Sequence, residues 1–69
     1  MTLNELIPSF GEFIITCSEA MVEKDIAIYV MFEMVDNPEK YNNSRAIKEL
    51  LLGHIDMDAF IHITQKFKL

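Results

Sequence analysis

Apolar residues recur along the chain at three- and four-residue intervals, the spacing of one face of an α-helix, while strict two-residue alternation is absent. Phe10, Phe13, Ile14, Cys17, Ala20 and Met21 form the first such stripe. At about 100° per residue, Glu12, Glu19 and Glu23 gather on the opposite side, joined by Glu5 if the helix is continuous. Ile15 and Val22 lie seven apart on the flank between the two faces and are candidates for a second contact surface. Two capping patterns precede the stripe. In Thr2-Leu3-Asn4-Glu5 and again in Ser9-Phe10-Gly11-Glu12, a hydroxyl that can accept from the backbone three residues on is followed there by a glutamate that can reach back to the cap residue's N–H. Pro8 stands between them and costs a continuous helix its hydrogen bond to Asn4. Either a short turn precedes the main helix, or one helix starts near residue 3 and bends at Pro8.

The segment 26–35 is ambiguous by composition. It holds one charge, Glu33, and six of its ten residues are β-branched or aromatic, which favours a strand. Ala27, Val30, Met31, Met34 and Val35 nevertheless keep a helical stripe, and a lone strand would lack partners. The reading adopted is a helix opened by Asp25. A helix apolar all round is normally buried all round, so this one is expected either at the centre of the domain or shared with another chain. Asp36-Asn37-Pro38-Glu39 reads as a turn and restart, with Asn37 as cap and Pro38 in the first helical position. Asn43 or Ser44 then caps a helix through Leu52, buried along Ala46, Ile47, Leu50 and Leu51 and stopped by Gly53. Asp56 opens the last helix, with Asp58 in its first turn. Its expected face is Met57, Phe60, Ile61 and Thr64, broadened by Ala59, Ile63 and Phe67, and Lys66 and Lys68 suit its negative end. The expected fold is all-α: a compact bundle of three or four short helices, near 3–24, 26–36, 44–52 and 57–68, self-sufficient or completed by dimerisation.

Size and composition turn this pattern toward interaction. The chain of 69 residues makes one domain, 1–69, and 51% of it is apolar, at or above the upper end for soluble domains. A domain this small buries only ~60% of the surface its unfolded chain exposes, and its core supplies ~3–5 kcal/mol. One cysteine cannot form an internal disulfide, which leaves oligomerisation or a partner as the staple. Glu5 stands where a secretory signal would be basic, and the longest apolar run, Ile26–Phe32, is far short of the ~20 residues of a membrane span. The expected setting is the cytoplasm, where a lone thiol stays reduced.

Charge is split between the halves. Residues 1–36 carry seven acids and only Lys24, net −6, whereas residues 37–69 carry four acids and five bases, net +1, for −5 in all. An acidic chain lacks the footprint of a nucleic-acid binder.

Candidate chemistry is sparse. His54, Asp56, Asp58 and His62 are the densest set of metal-ligand types, but capping, dipole and surface roles account for them, so no metal or other cofactor is expected. Cys17 lies on an apolar stripe in an acidic helix, the setting of a small buried hydrophobe rather than a nucleophile. Gly11 and Gly53 are isolated, no phosphate loop or nucleophile elbow exists, and no enzyme is expected. Met1, Met21, Met31, Met34 and Met57 suit core gaps or an adaptable surface. Residues 44–68 also permit a helix-turn-helix reading, with Arg45, Lys48, Lys66 and Lys68 toward DNA. Against it, Asp58 would sit in the first turn of the recognition helix, and no Arg, Lys, Asn or Gln occurs from 57 to 64. The expected function is a small acidic regulator, inhibitor or co-chaperone-like subunit that docks on a basic protein or on itself. Its expected contacts are Ile15, Val22, Tyr29, Met31 and Phe32, flanked by Glu12, Glu19 and Glu23.

Overall fold

Three of the helices begin where a short polar side chain satisfies a free N–H group. In the computed structural model, which describes residues 2–69, five helices follow one another: α1 (Leu3–Leu6), α2 (Phe10–Glu19), α3 (Lys24–Asp36), α4 (Ser44–Leu52) and α5 (Met57–Phe67). No strand occurs among the described residues. Ser9 Oγ accepts from the Glu12 N–H at 3.2 Å, Asn43 Oδ1 from Ala46 at 2.9 Å and Asp56 Oδ1 from Ala59 at 2.8 Å. The Thr2 N–H donates to Glu5 Oε1 at 3.2 Å, so Glu5 does reach back to the start of α1.

The span read as one helix over 3–24 is two. Pro8 lies in the break between α1 and α2, the first of the two arrangements its missing N–H allows. The far end is also shorter than the stripe suggested. Val22 N–H donates to the Cys17 carbonyl at 2.9 Å and Met21 N–H to Ser18 at 3.0 Å. This closes α2 in a Schellman motif with Met21 in the left-handed region, φ 64°. Met21 therefore leaves the buried stripe and is 91% exposed. A Cβ in this region costs about 1–2 kcal/mol, partly recovered by the lower entropy of a non-glycine chain when unfolded. We expect Met21→Gly to stabilise the fold by about 0.5–1 kcal/mol, raising Tm by ~4 °C. Met21→Ala keeps the Cβ and should leave Tm unchanged; an equal rise in both variants would sink this account.

Two further corrections concern caps. Asn37 ends α3 instead of starting a helix, its Nδ2 donating to the Glu33 carbonyl at 2.9 Å. Asp25 lies within the first turn of α3, and Glu23 holds the capping position without a side-chain cap bond.

Helix α2 packs against α3 and α5, and α4 closes the ring by packing against the same two. Phe13, Cys17, Ala27, Val30, Met34, Ile47, Leu51 and Ile63 meet inside, joined by Leu3 and Leu6 of α1 and by Ile7 just after it. The Phe13 and Phe67 rings sit 6.0 Å apart, tilted by 41°. The Cα radius of gyration is 10.5 Å, against ~11 Å expected for a folded chain of this length. Two buried polar side chains keep their bonds: the Thr16 hydroxyl donates to the Glu12 carbonyl at 2.7 Å, and the Tyr41 hydroxyl reaches Glu33 Oε1 at 3.5 Å.

Helix α5 faces the core with Ala59 and Ile63, not with Met57 and Ile61, which are 58% and 45% exposed. Nor is α3 central: it buries one side only. No helix among the described residues is long and apolar enough to cross a membrane.

Candidate protein-docking surface

Helix α3 carries two apolar faces. Ala27, Val30 and Met34, at i, i+3 and i+7, are buried in the core. Turned about half a revolution away are Ile28, Tyr29, Phe32 and Val35, with Asp25 and Asp36 at the two ends of the same side. Tyr29 is 54% exposed, Phe32 52% and Val35 44%. Scattered single apolar residues are normal on a surface, but a row along one helix is a patch.

The row is braced from one side. The Tyr29 ring tilts at 60° against the His54 imidazole with centroids 5.0 Å apart, so the turn between α4 and α5 fixes where Tyr29 stands. At the other end, Val35 enters a cleft of about 430 Å³ lined also by Thr2, Leu3, Asn4, Phe10, Pro38, Glu39 and Asn42. That volume lies within the range of ligand-sized clefts.

The eight residues expected at a partner contact fall into three groups. Tyr29 and Phe32 stand together on the outer side of α3. Glu12, Ile15 and Glu19 form a separate stripe on the solvent side of α2, where Ile15 is 54% exposed between two carboxylates. Val22 and Met31 are partly buried against the core, and Glu23 is exposed at the cap of α3. The sequence reading passed over Ile28 and assigned Val35 to the inner stripe. Ile28, Phe32 and Val35 share i, i+4 and i+7 spacing, and that second period was the available signal.

The ligand types near the C-terminus do not assemble. Asp56 caps α5, His54 lies on Tyr29, and His62 Nε2 points to Glu19 Oε1 at 3.9 Å. Among the described residues, no three His, Cys, Asp or Glu side chains are placed to hold a metal ion. Cys17 is buried, and burial pushes its thiol up from 9.0 to about 11. A thiol of that pKa presents about 100-fold less thiolate near neutral pH than an ordinary one. We expect Ellman's reagent to label native Cys17 at least ~100-fold more slowly than the urea-unfolded chain at pH 8. Equal rates in the two states would show that the thiol is accessible.

No protein-family model matches this chain, and neither does any curated protein or solved structure.

Proposed function

We propose that this protein is a non-catalytic interaction module that docks, through the outer side of α3, on a basic amphipathic segment of another protein. One observation carries the reading: α3 has a second apolar face, on which Tyr29, Phe32 and Val35 are exposed and Ile28 is half-buried. Burying a row of this kind in a groove or against a helix is a common mode of peptide recognition, with anchors at three- and four-residue spacing. A buried thiol and histidines that stand apart favour binding over chemistry.

Charge selects the partner. The row ends in Asp25 and Asp36, with Glu23 and Glu39 beyond them and Lys24 and Lys40 as the nearby bases. A symmetric pair of α3 helices would set acid beside acid in either orientation: Asp25 against Asp36 when antiparallel, each against its own copy when parallel. Like charges at a contact weaken it and suppress wrong partners. A segment with an apolar stripe between basic residues meets both requirements.

The test uses two labelled peptides as long as α3, one amphipathic in leucine and lysine, the other with glutamate in place of lysine. The expected result is saturable binding of the lysine peptide, weakened by added salt, and none of the glutamate peptide. Light scattering at increasing protein concentration, run in parallel, should give a monomer. A stable dimer would assign the row to a second copy, and failure of both peptides with a monomeric protein would overturn the reading.

A further inference from the structure

We infer that the cleft at the C-terminal end of α3 is a subsite for an arginine side chain of the docked segment, received together with an apolar neighbour. The inference rests on the docking reading above and gives it a direction. The apolar lining of the cleft is Leu3, Phe10, Val35 and Pro38, and Val35 is also the last member of the exposed row on α3. A segment lying along that row runs into the cleft without a break. The polar lining is Thr2, Asn4, Glu39 and Asn42, and Glu39 is the one charged residue among them. No base lines the cleft among the described residues.

Among the described residues, the base next to Glu39 in sequence is directed elsewhere: Lys40 holds its Nζ 5.5 Å from the centroid of the Tyr41 ring. Glu39 makes no ion pair among the described residues. The end of α3 adds to the demand for a cation: its last turn has no basic residue and closes on Asp36, while the helix dipole leaves partial negative charge there.

An arginine answers each part. Its alkyl stem can lie on Leu3, Phe10 and Val35 while the guanidinium stays at the rim, as long cationic side chains commonly do. Its planar fork of five donors suits a lining that holds one carboxylate and two side-chain amides better than a point charge would. Asn42 Oδ1 accepts from Asn43 Nδ2 at 3.1 Å, which orients that carbonyl and leaves a lone pair free. A cleft of about 430 Å³ exceeds one side chain, so an apolar neighbour enters with it.

The experiment is an amide-resolved NMR titration with N-acetyl-leucyl-arginine amide, repeated with citrulline in place of arginine and with Glu39→Gln. Glu39 is exposed in a turn, so the variant keeps the fold. The expected result is saturable shifts at Asn4, Val35, Glu39 and Asn42, with affinity about tenfold lower for the citrulline peptide and about tenfold lower in Glu39→Gln. Absent shifts, or equal shifts with citrulline, or no effect of Glu39→Gln, would each overturn the subsite. The α3 reading is separated by Phe32→Asp, because Phe32 does not line the cleft. If the dipeptide binds that variant unchanged while the long lysine peptide binds neither protein, the cleft stands and the docking face fails. If the long peptide binds and the dipeptide does not, the subsite alone is lost.

Discussion

Phe13→Ala should unfold the protein. Phe13 is fully buried at the meeting of α2 with α5, with the Phe67 ring at 6.0 Å. Truncating a buried Phe to Ala removes its transfer free energy and leaves a cavity, about 3–5 kcal/mol together. A domain of this size holds only ~3–5 kcal/mol in total, so the loss equals the whole stability. Far-UV circular dichroism of the variant should show the helical signal gone at 25 °C and no cooperative melt. Phe13→Leu, which keeps most of the volume, should stay folded at a cost of about 1 kcal/mol. A native-like spectrum with a cooperative urea transition for Phe13→Ala would mean that the core is held chiefly by other contacts.

The contrast between Phe13 and Phe32 shows what the sequence makes legible. Local rules are satisfied locally, and there the reading is sound: Ser9, Asn43 and Asp56 cap because a short acceptor precedes an apolar run, and Ile47 and Leu51 are buried because α4 has one apolar side. Pro8 divides the first stretch for a reason internal to the residue. The end of α2 is different. Nothing in Met21 advertises a left-handed residue, a role usually given to glycine. The motif depends on Val22 finding its place against the core, which is a tertiary fact.

Where a helix is apolar over a wide arc, its rotation is undetermined by its own sequence. On α5 the arc includes both Met57–Ile61 and Ala59–Ile63, and the fold buries the second pair. On α3 the two sides are nearly equal in character, and the choice was made by the neighbours α2 and α4. Polarity misleads in the opposite direction at Thr16 and Tyr41, buried because their hydroxyls find acceptors one turn or eight residues back. The cleft beside Val35 joins residues 2–4, Phe10, Val35, Pro38, Glu39 and Asn42, a convergence no periodicity contains.

The helix with two apolar sides is thus where intrinsic pattern exceeds the needs of the fold, and Phe32→Asp tests what the excess is for. Phe32 is 52% exposed and outside the core cluster, so the variant should remain helical, with stability within about 1 kcal/mol of the parent. Binding of the leucine-lysine peptide should fall by at least ~30-fold, the loss typical of a central aromatic anchor. Electrostatics cannot produce that fall. The substitution takes the formal charge from −5 to −6, and a more negative surface attracts a cationic peptide more strongly. Weakened binding in spite of the added charge would therefore report the apolar contact itself. Unchanged or tighter binding would mean that the peptide is held by general acidity and not by α3. An unfolded chain would place Phe32 in the core, and Phe32→Ser, which adds no charge, would then be compared with the parent by circular dichroism and peptide titration. A folded Phe32→Ser that bound the peptide as tightly as the parent would remove α3 from the interface.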